Sequence, residues 1–238
     1  MSVTREKIER LLQKNFYTVS DLRDIMEILR SEEGCPWDRE QDHHSIRASL
    51  IEEAYEVIEA IDNDDPVLLR EELGDLLFQV VFHAQIEQEK NVFSLDEVVN
   101  DICVKMIHRH PHVFGSVEVS NSREVLSNWE AIKTEEKQRN TLVEKLRAIP
   151  PMLPALMRAS KISKKAGTIA EASKEDLLAE LQERLDRLHQ APPNHESLGD
   201  LLLTVTRLAQ VCEIDAEHAL SDASDRLIDE VEKKSKNS

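Results

Sequence analysis

Along most of the chain, apolar positions recur every three or four residues, which is the spacing of helices. Leu22, Ile25, Met26 and Leu29 predict a short amphipathic helix over residues 19–30, closed by Gly34-Cys35-Pro36. A loop to about His44 leads into a helix over about 45–61, where Leu50, Ala54, Val57, Ile58 and Ile61 share one face. Asn63-Asp64-Asp65-Pro66 breaks it, as turn formers followed by proline should. A second long helix is predicted over about 67–90 and a third over about 95–108, with Ser94 as N-cap, Glu97 completing a capping box, and Pro111 as the stop. From Ser120, "SNSREVLSNWEAIKTEEK" predicts another helix.

Polar residues interrupt the first two long helices in a pattern of their own. Glu52 and Glu56 lie about 40° apart on a helical wheel and Glu53 about 60° from Glu56, so the three carboxylates share a flank. Alone, that is a solvated face. In the next helix Leu73, Leu76, Leu77, Val80, Val81 and Ala84 form one apolar face while Phe78, Phe82 and Ile86 occupy the other side. A helix apolar nearly all round is expected to be buried. Yet Glu72, Asp75, Gln79 and His83 draw a single polar stripe along it.

A buried carboxylate needs a cation or a dense set of hydrogen bonds. Gly74 adds to this, since a glycine inside a helix is expected to permit a close approach. No matching row of lysine or arginine lies on the Glu52 helix. Acidic clusters from two antiparallel helices would instead offer hard oxygen ligands, which suit Mg²⁺ or Mn²⁺ better than zinc. With no Glu-x-x-His pair, a di-iron centre is not favoured. Cys103, His108, His110 and His112 match no common zinc spacing, and His83 reads as a hydrogen-bonded core histidine.

Composition narrows the class. Of 238 residues 40% are hydrophobic, only five are glycine and 4% are aromatic, which favours an all-α fold with a real core. A net charge of −17 repels a phosphodiester backbone, so nucleic acid polymers are not expected partners. Cys35, Cys103 and Cys212 are odd in number and scattered, as reduced thiols are. No signal peptide and no apolar run of about 18 residues is present, so no membrane association and a cytoplasmic location are expected.

The chain also repeats itself. "ELGDLLFQVVFHAQ" (Glu72 to Gln85) matches "SLGDLLLTVTRLAQ" (Ser197 to Gln210) at eight of fourteen positions. Two tandem helical modules follow, each built on a helical pair with four-helix-bundle packing completed by a homodimer or higher homo-oligomer. The expected boundaries are 1–140, a linker at 141–157 containing Pro150, Pro151 and Pro154, and 158–238.

Glu52-Glu53-x-x-Glu56 followed by Glu72-x-x-Asp75 resembles the acidic signature of the all-α nucleoside triphosphate pyrophosphohydrolases. "GCPWDREQDHHS", "FHAQ", "RHPHVFG" and "NWEAIKTEEK" narrow the resemblance to the MazG family, closely over residues 18–165 and weakly beyond. The resemblance implies hydrolysis of a nucleoside triphosphate to monophosphate and pyrophosphate, in nucleotide-pool control. It implies Mg²⁺, with Mn²⁺ as a substitute, on Glu53, Glu56, Glu72 and Asp75, and Glu52 or Glu53 acting on a water. Lys105, Arg109, Trp129 and Lys133 match substrate positions of the family, and Trp37 is a further candidate for contact with the base. For both tryptophans ordinary packing stays open as the other reading.

The second module departs from the pattern. Glu180 and Glu183 keep two acidic positions, but Ala179 stands opposite Glu52, and Ser197 replaces Glu72 while Asp200 remains. "GTIAEASKED" stands where the family has a GFDW-like segment, and Arg226 and Glu230 stand where it has a Lys-x-x-x-Arg pair. The second module is therefore expected to be structural and the first catalytic. The alternative is a non-catalytic helical dimerisation module that binds a nucleotide or a protein.

Overall fold

In a computed structural model, which describes residues 3–136, 141–167 and 172–236, every regular element is an α-helix, as the composition implied. The chain divides into two compact units, Met1–Leu126 and Ser127–Ser238.

The first unit runs α1 (Val3–Leu12), α2 (Val19–Leu29), α3 (Pro36–Glu40), α4 (Arg47–Asp62), α5 (Pro66–Glu89), α6 (Leu95–Arg109), α7 (Pro111–Phe114) and the start of α8 (Ser122–Glu136). Capping chemistry fixes the starts. Thr18 and Asp21 form a reciprocal box at α2, as Ser94 and Glu97 do at α6. Asp65 accepts from the Val67 and Leu68 amides at 2.9 and 3.0 Å, with Pro66 opening α5. Asp64, at φ 50°, turns the chain so that α5 runs back against α4. The core gathers Met26 of α2, Ile46 before α4, Val81, Phe82, Ala84 and Ile86 of α5, and Leu95 of α6. Burying Phe82 contributes about 1.5–3 kcal/mol.

Helix α5 is buried only in its second half. Leu73, Leu77 and Val80 are exposed although the helix is apolar nearly all round. The cause is length: 24 residues span about 36 Å, whereas the 11 residues of α2 that pack on it span roughly 16 Å. Gly74 corrects another expectation, since a Cβ there would meet nothing within 4 Å. Among the described residues no close approach requires that glycine. Gly34 does face one, because its Cβ would collide with the carbonyl oxygens of Ile28 and Leu29.

The loop from Gly34 to His44 is more ordered than its composition suggested. Arg30 pairs with both oxygens of Glu89 at 2.8 Å, lies over the Phe82 ring at 5.3 Å, and donates to the carbonyls of Asp38 and Gln41. One guanidinium thus ties α3 to the far end of α5. Helix α1 was not anticipated. It is held to α2 by the ion pair of Lys7 with Glu27 at 2.6 Å, and just past its end Lys14 pairs with Asp21 at 2.5 Å.

The second unit contains the rest of α8, then α9 (Leu142–Arg147), α10 (Ala155–Ala166), α11 (Lys174–Gln190), α12 (His195–Val211) and α13 (Ala216–Lys236). Helix α9 lies in the stretch expected as a linker and packs on α10. Helices α11 and α12 pair as α4 and α5 do, around the buried Leu177, Thr204 and Thr206. Of "GTIAEASKED", residues 168–171 lie outside the described residues. Among the described residues no helix is long and apolar enough to cross a membrane.

Candidate metal centre

Where α4 and α5 cross, residues late on one helix meet residues early on the other. This antiparallel register brings Glu56 and Glu53 to Glu72, with one carboxylate oxygen from each lying within 4.8 Å of the others. Asp75 is exposed one turn along α5, close enough to act electrostatically on Glu53 and Glu72 but outside that group. Glu52 is exposed on α4, also outside it. Among the described residues no lysine or arginine pairs with Glu53, Glu56 or Glu72.

The electrostatics reflect that crowding. Loss of solvent, and then the neighbouring Glu56 and Asp75, push the Glu53 carboxyl above the ordinary glutamate range. Glu72 is raised in the same way, by desolvation and then by Glu56 and Asp75. Mutually repelling carboxylates with hard oxygen donors and no basic partner fit a divalent cation. A cation would reverse the sign of the local field.

Beneath the cluster the polar stripe of α5 continues inward. Gln79 is 7% exposed and its Nε2 donates to Glu53 Oε1 at 3.5 Å, the long end for such a bond. His83 follows one turn on, with Nδ1 at 2.8 Å from His43 Nδ1 and the two rings stacked. His43 Nε2 in turn lies 2.6 Å from Glu87 Oε1. Sequence reasoning anticipated a hydrogen-bonded His83 but not its partners. The i+4 spacing of His83 and Glu87 was the available signal.

The second unit rebuilds the same helical pair with different occupants. Shifting α5 by 125 places Thr204 at Gln79 and Arg207 at Phe82, and Glu180 of α11 stands at the place of Glu53. Thr204 Oγ1 donates to Glu180 Oε1 at 3.0 Å, the counterpart of the Gln79–Glu53 contact. Arg184, at the position of Val57, donates to Glu180 Oε1 from Nε and Nη2 at 3.1 and 2.9 Å and to Asp200 from Nη1 at 2.7 Å. Arg207 Nη1 takes the other Glu180 oxygen at 3.0 Å. Burial alone would lift Glu180, but Arg184, Thr204 and Arg207 hold it below the ordinary range. Fixed guanidinium groups neutralise these carboxylates.

The basic and aromatic candidates divide between the units. Lys105 is exposed and Arg109 buried, one turn apart on α6, which packs on α5. Trp37 is 61% exposed on α3. Trp129 and Lys133 fall in the part of α8 assigned to the second unit. There the Lys133 ammonium sits 4.5 Å from the Trp129 ring centre and 3.5 Å from Glu130. The two are therefore partners of each other.

Comparison with known proteins agrees with the acidic pattern. Residues 41–114 match the MazG nucleotide pyrophosphohydrolase domain. The chain is 39% identical over 218 residues to the nucleoside triphosphate pyrophosphohydrolase/pyrophosphatase MazG of Thermotoga maritima, covering 90% of this chain and 84% of that one. It is 40% identical over 219 residues to the nucleoside triphosphate pyrophosphohydrolase of Escherichia coli K12, covering 87% and 83%. The chain belongs to the MazG family. A third relative, the uncharacterized protein YabN of Bacillus subtilis, is 39% identical over 229 residues, which is 92% of this chain and 46% of YabN. The MazG domain match contains His43, Glu53, Glu56, Glu72, Gln79, His83, Glu87, Lys105 and Arg109, so the whole stripe lies inside it. Trp37, Trp129 and Lys133 lie outside the matched MazG segment.

Proposed function

We propose that this MazG chain hydrolyses nucleoside triphosphates to the monophosphate and pyrophosphate, and that its first unit does so with Mg²⁺ or Mn²⁺ held by Glu53, Glu56 and Glu72, with Asp75 at the margin. The observation that carries this is the convergence of three carboxylates within 4.8 Å with no basic partner among the described residues. A bound divalent cation there supplies positive charge for triphosphate oxygens and acidifies a coordinated water. Glu52, exposed beside the cluster, or Glu53 is left to accept the proton of the attacking water. Lys105 and Arg109 supply charge for phosphate oxygens from the neighbouring α6. The relatives in Thermotoga maritima and Escherichia coli, both nucleoside triphosphate pyrophosphohydrolases, support the same reaction. Clearing of nucleotide pools is the role consistent with it.

The second unit acts as a structural copy, since Arg184 and Arg207 already satisfy Glu180 and Asp200. The protein works as a homodimer. Ile51, Tyr55 and Ile58 form an exposed stripe on α4, and Leu73, Leu77 and Val80 form one on α5, apolar surface that a second copy would cover.

The deciding assay incubates the full chain with a panel of ribo- and deoxyribonucleoside triphosphates and Mg²⁺ or Mn²⁺, and resolves the products by ion exchange. Monophosphate and pyrophosphate are expected from the native chain and from Glu180→Gln, but not from Glu53→Gln or Glu72→Gln. Activity that survives Glu53→Gln and is lost in Glu180→Gln would place the chemistry in the other unit.

A further inference from the structure

Helix α13 packs on α10 and α12, yet only Ala216 and Glu217 at its start are half-buried, and every residue from His218 to Lys236 is exposed. A helix in a protein draws most of its stability from burying an amphipathic face rather than from propensity. This one has such a face. Leu220, Leu227 and Val231 fall within about 40° of one another on a helical wheel, with Ile228 beside them. Each of the four is more than half exposed. Asp222, Asp225 and Asp229 project from the opposite side, which leaves the stripe clear of them.

The two ends of the stripe carry opposite charges. Glu217 lies three residues before Leu220 and Lys234 three residues after Val231, both on the apolar side of the helix. Glu217 is held there by the Met157 amide, which donates to its Oε2 at 3.2 Å. A stripe that begins with an acid and ends with a base is its own complement when turned end for end. Setting Leu220 of one copy opposite Val231 of another brings Lys234 level with Glu217, and the two-fold axis repeats the contact at the other end. A parallel pairing would set lysine on lysine and glutamate on glutamate, a juxtaposition of like charges that costs free energy.

We propose that α13 pairs antiparallel with α13 of a second copy, apolar stripe against apolar stripe, closed at both ends by Lys234 and Glu217. Four side chains per copy are little surface beside the roughly 1,200 Å² or more that a stable interface buries. The pairing therefore rests on the homodimer proposed above and adds a second contact to it. It gives the unit whose acids are neutralised by arginines a task that needs no metal.

The test uses nitroxide labels read by pulsed electron resonance in the full chain, with Cys35, Cys103 and Cys212 replaced by serine and a single cysteine introduced as Ser224→Cys or Ser235→Cys. With Leu220 opposite Val231, Ser224 lies opposite Leu227, so the two Ser224→Cys labels come close together. Ser235 lies opposite Ala216, which separates the two Ser235→Cys labels by about 28 Å along the helix axis. Short distances at both positions show a parallel pairing, and a long distance at Ser224→Cys in a chain that sediments as a dimer shows no pairing. Either result overturns the proposal while the homodimer stands. A chain that sediments as a monomer at every concentration removes the homodimer and this contact with it. Charge supplies the second arm. Lys234→Glu should weaken dimerisation by about 2–30-fold in analytical ultracentrifugation, since the two-fold axis counts each ion pair twice. Lys236→Glu, the same change on the opposite side of the helix, should leave it unaltered, and equal effects from the two overturn the pairing.

Discussion

Arg207 Nη1 donates to Glu180 Oε2 at 3.0 Å, from the position that Phe82 holds in the first copy of the repeat. A fixed cation occupies one copy of the site and a loadable one is proposed for the other. Calorimetric titration with Mn²⁺ should therefore show binding that Glu53→Gln removes and Glu180→Gln leaves intact. Replacing Arg207 by phenylalanine should instead lower stability by about 1–3 kcal/mol, because a partly buried carboxylate loses a partner. Urea unfolding would measure that loss.

Neutralising the acidic cluster should stabilise the metal-free fold. The Glu53 and Glu72 carboxyls are raised above the ordinary glutamate range, so the folded chain holds their protons more tightly than the unfolded one. Their contribution favours folding below that range and is lost as pH rises through the raised values. In chelator at neutral pH, Glu72→Gln should melt above the native chain, with the difference vanishing near about pH 4. Saturating Mn²⁺ should reverse the order. Thermal scans at the two pH values, with and without metal, check both signs.

Covering of the exposed stripes can be tested directly. Leu77, 37% exposed in α5, should tolerate Glu in an isolated unit but not at a subunit contact. If the proposed homodimer forms through this face, Leu77→Glu converts it to a monomer in analytical ultracentrifugation while retaining native helicity.

Arg30 offers a prediction about the clamp on α3. Its side chain is 6% exposed and reaches Glu89 through two parallel bonds. Lysine cannot reproduce that fork or the contact with the Phe82 ring. Arg30→Lys should cost about 1–3 kcal/mol, read from denaturant midpoints, and should hasten proteolysis near Trp37.

Much of the first unit could be read in advance because its long helices carry strong periodicity and explicit caps. Ser94 with Glu97 and Asp65 with Pro66 state their own positions, and the antiparallel return of α5 makes the convergence of Glu53, Glu56 and Glu72 follow from spacing. The five residues of α3 and the six of α9 are too short to show a period, so periodicity reads them as loop and linker. The exposure of Asp75, Leu73 and Leu77 depends on how far α2 extends along α5, a relation between distant segments. Arg184 and Arg207 lie 23 positions apart and meet only through the pairing of α11 with α12. The acids missing from the second copy were legible, but the arginines that pair with its remaining acids were not.

The arginine-filled copy also makes the molecule its own reference. The two helical pairs share a contact from polar side chain to carboxylate, Gln79 to Glu53 and Thr204 to Glu180, yet only Glu180 is also paired with arginines. A spectroscopic change on metal addition or depletion that touches α4 and α5 while leaving α11 and α12 still is specific to coordination. A change in both reports salt, viscosity or denaturation, and each sample carries its own blank.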